Sequence, residues 1–417
     1  MKNLLHILFL FLLTIGCSGD GDNPNPNPSP TPTLRADASI VKPSEEKQTI
    51  RGFGAATVFD PSGVAELNTS DYDKLFGNDV DEIGLSILRI RVAADAAYRS
   101  KELNRAVNAK ARGAIVIASP WSPPASMKTN NSLIGGSLKT DSYEEYALYL
   151  NDFANYMDSN GASLYAIGIQ NEPDIEVTYE SCDWTANQIK DFMKDFGHLI
   201  TKTKVISPES FNFNHSITDP MLNDAVAVEN VDIVGGHIYG GGLADYPLAK
   251  SKNKEVWMTE HLDTEVTWSS VIATGKEIHD CMVTANFNAY IWWYAKRFYG
   301  PLDEDGTISK RGYVMANFSK FVRPGYVRVE ATEKPKTNVL VSAYKSNGKT
   351  IIIALNTSTS GINQQFSIEN TTATSVTPYV TSENENLAEK TSVEIVTEID
   401  AFTYTLPANS ITTFVTN

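Results

Sequence analysis

Two glutamates of this 417-residue chain stand where paired carboxyl groups could do chemistry. Glu172 follows the apolar run "YAIGIQN" and Glu260 follows "EVWMT". Each sits at the tip of what reads as a buried strand. Paired carboxyls cleave a glycosidic bond through an oxocarbenium-like transition state. One must be protonated to give the leaving oxygen its proton, and the other ionised to attack the anomeric carbon. Environments that push their pKa values apart allow both states at one pH. A single strand-end glutamate is explained by helix capping or a salt bridge. Two on separate strands, one preceded by Asn171, point to catalysis. A third strand-end acid, Glu209 in "SPES", is read as a structural residue or one that supports the site from behind.

Aromatic residues gather around the same strand ends. Sugars present apolar C–H faces, to which flat rings are complementary. Trp121 stands in "ASPWSPP", Tyr239 follows His237 by two residues, and "IWWYAKRFYG" carries Trp292 and Trp293. Alternation along a strand turns only one of those two tryptophans inward. No P-loop, HExxH or CxxC pair occurs, so no metal or nucleotide cofactor is expected. A serine hydrolase is disfavoured because no G-x-S-x-G elbow is present.

Side chains at strand tips need strands to hold them. Eight continuous apolar runs recur: "RGFGAATV" (51–58), "LSILRIRV" (85–92), "GAIVIASP" (113–120), "SLYAIGIQ" (163–170), "KVISPES" (204–210), "VDIVGGHIY" (231–239), "EVWMTEH" (255–261) and "AYIWWYA" (289–295). Uninterrupted apolar runs suit strands buried on both faces. Amphipathic stretches lie between them. "YEEYALYLNDFANYMDS" (143–159) places Tyr146, Leu150, Phe153 and Met157 on one helical face, and "WSSVIATGKEIHDCMVTA" (268–285) is another. Eight strand–helix units predict a (β/α)8 TIM barrel, an α/β fold whose active site lies at the C-terminal ends of the strands. An open doubly wound sheet should carry a Gly-rich phosphate turn after its first strand, and "GFGAAT" lacks the GxGxxG spacing.

Beyond residue 322 the pattern becomes all-β. "NVLVSAYKSNGKTIIIALN" (338–356) is a hairpin around Asn347-Gly348. The early stretch "ADASIVKPSEEKQTI" also reads as strand and turn, so residues 36–50 plus 322–417 are assigned to an antiparallel side β-domain and 51–321 to the catalytic barrel. Residues 1–16 read as a lipoprotein signal peptide: one early lysine, an apolar run too short to span a bilayer, and Gly16 before Cys17. Cys17 would be the lipidated residue. The acidic "SGDGD" resembles the surface-export signal of Bacteroidetes lipoproteins, predicting an outer-membrane cell-surface location. Residues 17–35 are then anchor and linker, and the alternating prolines of "NPNPNPSPTPT" form an extended spacer. The remaining Cys182 and Cys281 are expected to be free thiols. A net charge of −15 disfavours binding nucleic acid or an anionic membrane by bulk charge, which leaves the lipid as the membrane contact.

Long strings carry a resemblance: "IRGFG", "SILRIRV", "GAIVIASPWSPP", "LYAIGIQNEPD", "VISPESF", "VWMTEH", "YIWWYAKRFYGPLDEDGTISKRGYVMANFSKFVRPGYVR" and "LPANSITTFV". The chain resembles glycoside hydrolase family 30, in the subfamily of bacterial xylanases that act on glucuronoxylan. The resemblance implies a barrel with a side β-domain built from both chain ends, and a retaining endo-β-1,4-xylanase of plant xylan. In it Glu172 matches the acid/base and Glu260 the nucleophile, with carboxyls roughly 5–5.5 Å apart. Asn171 matches the residue that bonds the sugar 2-hydroxyl, and Tyr239 the tyrosine that orients the nucleophile. Arg89, Trp121, His237 and Trp293 match residues lining that subsite. Arg297 matches an arginine that recognises the carboxylate of a methylglucuronate branch, for which a guanidinium fork is suited. The chain departs from the pattern after Glu260: "EHLDTEVTWSS" puts Leu262, Asp263 and Glu265 where relatives carry tyrosine. Another family activity, such as β-1,6-glucanase or glucosylceramidase, and a non-catalytic surface glycan-binding protein are the alternatives. A monomer is expected.

Overall fold

The computed structural model describes residues 32–417. The expected signal peptide, Cys17 and the spacer through residue 31 lie outside the described residues. The first strand, β1 (Ser39–Thr49), does not enter the barrel. Eight parallel strands then close on themselves: β2 (Gly52–Ala56), β3 (Ile87–Val92), β4 (Ile115–Pro120), β5 (Ala166–Gly168), β6 (Lys204–Ile206), β7 (Ile233–His237), β8 (Glu255–His261) and β9 (Ala289–Tyr294), with β9 pairing back onto β2. Each of the eight apolar runs supplies one of them. Helices α1 (Thr69–Phe76), α2 (Arg99–Lys110), α3 (Tyr143–Ser159), α4 (Ala186–Asp195), α5 (His215–Asn223), α6 (Pro247–Ser251), α7 (Trp268–Val283) and α8 (Lys310–Ser319) follow the strands in turn.

Side-chain volume explains why the barrel closes solid. Ile87, Ile117, Ala166, Ile206, Ile233, Trp257, Ala289 and Ile291 form one buried cluster in its interior. This is the branched, layered filling that barrels require. Outside, Tyr146, Leu150, Phe153 and Met157 of α3 are all fully buried, as their helical spacing demands. Each such side chain contributes roughly 1.5–3 kcal/mol of burial. Two helices begin on reciprocal caps, Asn68 with Asp71 at α1 and Thr185 with Gln188 at α4.

The rest of the chain forms a second sheet of β10 (Val327–Ala331), β11 (Val339–Ser346), β12 (Lys349–Asn356), β13 (Ile362–Ile368), β14 (Ser375–Thr381), β15 (Ala388–Glu389), β16 (Val393–Glu394), β17 (Ala401–Leu406) and β18 (Ser410–Thr416). β1 joins it, antiparallel to β10 and parallel to β13. One face of the sheet has its own core, including Val41, Val341, Ile352, Phe366, Phe402 and Phe414, and the other contributes Leu340, Ile353, Leu355 and Ile411 to the barrel's buried cluster. The β11–β12 turn places Asn347 at φ 49° and Gly348 at φ 78°, the left-handed pair of a two-residue hairpin. The sheet is tied to α8 by polar bonds: Thr413 Oγ1 donates to the Asn317 carbonyl (2.7 Å), and Asn317 Nδ2 donates to Thr381 Oγ1 (2.6 Å).

Candidate active site

The fourth barrel strand is shorter than its apolar run. β5 ends at Gly168, and the backbone then leaves the ladder without leaving its neighbours. Ile169 N–H reaches the Ile206 carbonyl (3.2 Å), Asn171 N–H the Pro120 carbonyl (2.8 Å) and Glu172 N–H the Glu209 carbonyl (3.0 Å). Glu172 and Glu209 both take the left-handed conformation, at φ 46° and 55°. Such a backbone costs on the order of 1–3 kcal/mol for a residue other than glycine and persists only where its surroundings enforce it. Gly168 makes room for the arrangement: a Cβ there would lie 3.0 Å from Glu209 Oε1.

Glu172 is 5 % exposed. Its Oε1 lies 2.9 Å from His237 Nδ1, and its Oε2 accepts from the Tyr179 hydroxyl (3.2 Å). Burial pushes its pKa up to about 7, against the opposing pull of the Tyr179 bond and the Arg89 charge. Burial also pushes His237 down to about 4. A neutral imidazole, unlike an imidazolium, does not oppose a protonated Glu172.

Glu260 has a different partner set. Arg89 Nη1 donates to its Oε2 (2.5 Å) and the Tyr239 hydroxyl to its Oε1 (3.0 Å). Arg89 is fully buried and every arm of its fork is engaged. Nη2 bonds Asn171 Oδ1 (2.7 Å) and Glu209 Oε2 (3.1 Å), and Nε bonds Ser119 Oγ (3.2 Å). Ser119 Oγ in turn donates to Glu209 Oε1 (2.8 Å). A buried ion pair stands only when its remaining donors and acceptors are satisfied in this way. Glu209, expected to be structural or to support the site from behind, is the second counter-charge of Arg89. The guanidinium also lies over Trp121, 4.8 Å from the ring centroid.

Oxygens of Glu172 and Glu260 come within 4.8 Å of each other, with a ring nitrogen of His237 in the same cluster. Three such groups could ligate a metal ion. Arg89 already provides a cation on Glu260, which disfavours a second one there. The oxygen spacing fits the short separation of retaining glycosidases, roughly 5–5.5 Å between carboxyls, rather than the roughly 6.5–9.5 Å of inverting ones.

Above the carboxyls opens a cleft of about 440 Å³. Trp121, Tyr239 and Trp293 line it with both glutamates. The rings form a continuous wall, with Trp121 5.5 Å from Phe59 and 5.7 Å from Trp293, and Trp293 4.7 Å from Tyr294. Trp292 turns the other way, fully buried beneath the Arg311 guanidinium. Arg89, Asn171 and His237 lie under the cleft floor and are 0–2 % exposed. Arg297 stands apart: it is not among the cleft-lining residues, and its Nη1 pairs with Glu304 (2.9 Å).

Several site residues escaped sequence reasoning. Tyr179, half exposed, reaches Glu172 from a loop without periodicity, and Phe59, Phe211, Leu262 and Tyr294 complete the cleft wall. Phe59, Phe211 and Leu262 each directly follow a recognised strand run and Tyr294 lies within one, so these four carried a positional signal that Tyr179 did not. Cys182 and Cys281 are free and buried, as expected. Among the described residues no helix is long and apolar enough to cross a membrane.

This architecture has close relatives. Residues 78–277 match the glycosyl hydrolase family 30 TIM-barrel domain. The chain is 44 % identical over 398 residues to glucuronoxylanase XynC of Bacillus subtilis strain 168, covering 92 % of this chain and 93 % of that protein. Among solved structures, the family 30 subfamily 8 xylanase Xyn30A of Clostridium acetobutylicum superposes with a TM-score of 0.86 at 42 % identity, covering 91 % of this chain and all of that one. A family 30 endoxylanase of Clostridium papyrosolvens C71 gives 0.83 at 42 % identity with the same coverage. A barrel of this topology, with a side sheet that takes in β1 and with relatives matched along nearly their whole length, makes this chain a member of glycosyl hydrolase family 30.

Proposed function

We propose that the protein is a retaining endo-β-1,4-xylanase that cuts the backbone of glucuronoxylan. The observation that carries the reading is the pair Glu172 and Glu260, with oxygens within 4.8 Å and contrasting partners. Glu172 is buried beside a neutral imidazole, and its raised pKa suits a general acid. Glu260 faces two donors, Arg89 and Tyr239, which suit a carboxylate nucleophile. In the first step Glu260 attacks the anomeric carbon while Glu172 protonates the departing oxygen, leaving a covalent glycosyl ester. In the second, Glu172 takes a proton from water, which displaces Glu260 with overall retention.

Asn171 Oδ1 is occupied by Arg89, so its amide N–H groups are the end available to the sugar 2-hydroxyl. Trp121 and Trp293 offer faces to the xylose rings. Arg297 would take the carboxylate of a (methyl)glucuronate branch in exchange for Glu304. Of the acids in the loop after Glu260, Asp263 is held by Ser270 Oγ in the first turn of α7 (2.6 Å) and by the Glu265 N–H of its own loop (2.9 Å). Lipidation at Cys17 would hold the enzyme at the cell surface, with the proline-rich spacer between anchor and barrel.

Product analysis on glucuronoxylan by mass spectrometry tests the assignment, with proton NMR reading the anomer first released. Glu172→Gln and Glu260→Gln should each abolish release of xylo-oligosaccharides, and the first product should be the β-anomer. Near-normal release by either variant, or an initial α-anomer, would overturn it.

A further inference from the structure

Glu260 is followed by a second titratable side chain, His261, which the mechanism above does not use. Glu260 lines the cleft, whereas His261 points toward α7. His261 is outside the set lining the cleft. Its Nδ1 lies 2.9 Å from Glu277 Oε1 on α7, and the same oxygen accepts from the Tyr290 hydroxyl of β9 (2.6 Å). Glu277 therefore ties β8, β9 and α7 together at one point, and the imidazole is pinned through one nitrogen.

The pinned ring has a specific neighbour. Its centroid is 4.9 Å from that of Tyr239, whose hydroxyl donates to Glu260. Phe211 stacks on the same tyrosine at 5.1 Å with planes 23° apart. Tyr239 is thus in contact with three rings, Phe211, His261 and, edge-on at 5.9 Å, His237, and of these only His261 is anchored by a hydrogen bond to a helix. Trp292 meets His261 edge-on at 6.5 Å and limits its movement on a further side.

We infer that His261 is a positioning residue for the nucleophile: Glu277 fixes its imidazole, which braces Tyr239, which orients the Glu260 carboxylate. The inference rests on the proposed role of Glu260. A brace that acts on orientation should alter turnover and leave substrate binding nearly unchanged, because no link of the chain before Tyr239 faces the cleft. Misplacing a reacting group slightly is costly, since the near-attack geometry is narrow.

The test is a double-mutant cycle with kcat and KM measured on glucuronoxylan. His261→Ala should lower kcat about tenfold with KM within about twofold, and Glu277→Gln should lower it less. His261→Phe restores a ring without the bond to Glu277, so its kcat should exceed that of the alanine variant. In a Tyr239→Phe background His261→Ala should cost less than about twofold, because the hydroxyl it serves is gone. Full additivity of the two losses, or a KM effect with kcat intact, would overturn the brace. If His261→Ala does not fold, the same cycle run with His261→Phe decides the question. Glu260→Gln separates the two levels of argument. Activity in that variant defeats the nucleophile assignment itself, whereas additivity with Glu260 still essential defeats only the role of His261.

Discussion

Replacing Glu172 by glutamine should change how the stability of the fold depends on pH. Burial raises the carboxyl from 4.5 to about 7 in the folded protein. Between those values the folded chain keeps a proton that the unfolded chain has released. The raised carboxyl therefore stabilises fully below about pH 4.5, and this contribution is lost as pH rises through about 7. A shift of roughly 2.5 units at 1.36 kcal/mol per unit amounts to about 3 kcal/mol. Glutamine does not titrate and is nearly isosteric, so the variant lacks this loss. Its stability relative to the parent should climb by about 3 kcal/mol between pH 4.5 and 7.5, then level off. Denaturant unfolding of both proteins across that range measures the difference, and titrations elsewhere in the molecule cancel. A relative stability that stays flat, or that falls with pH, would refute the claim that burial dominates at Glu172.

Activity should follow the same group: kcat/KM declines above about pH 7 as Glu172 loses its proton, and a pH–rate profile extending unchanged to pH 9 would remove Glu172 as the acid. Arg297→Ala should lower kcat/KM on glucuronoxylan about tenfold, the low end for a charge-assisted bond at a partly exposed site. Unsubstituted xylan should be little affected, so equal losses on the two polymers would count against branch recognition. Glu304→Gln frees the guanidinium and should shift the preference toward the charged substrate. Lys296 donates to Asp71 at 2.8 Å with both side chains buried. Lys296→Met strands a buried carboxylate and should destabilise by about 3–5 kcal/mol in denaturant melts, with Lys296→Met/Asp71→Asn recovering most of it.

The barrel was legible because its strands are buried on both faces and appear as unbroken apolar runs. Glu172 and Glu260 were legible because they are polar endings to such runs. The hairpin at Asn347-Gly348 announced itself through residues that tolerate a left-handed turn. Other features depend on packing between segments far apart in the chain. Nothing local shows that β5 stops at Gly168, since Ile169 continues the apolar pattern while the backbone bends toward β6 and β4. Tyr179 lies in a loop whose path is set by the fold around it. The pairing of Arg297 with Glu304 also falls within a loop, where no periodicity reports which side chains meet. Arg89 reads as one polar position inside an apolar strand, and its four polar partners lie on other strands or beyond their ends.

With Glu172 as the acid and Glu260 as the nucleophile, as proposed above, the Arg89 cluster would also keep the site's electrical account level through a turnover. At rest the floor of the cleft holds one cation, Arg89, two carboxylates, Glu209 and Glu260, and a protonated Glu172, for a sum of −1. In the proposed mechanism, forming the glycosyl ester neutralises Glu260, and in the same step Glu172 surrenders its proton and becomes the anion. The sum is again −1. Arg89 is never left without a counter-ion, because Glu209 keeps its bond to Nη2 while Glu260 is esterified. Charge migrates a few ångströms from one glutamate to the other and none has to enter or leave the protein interior, where bringing an ion out of water costs several kcal/mol.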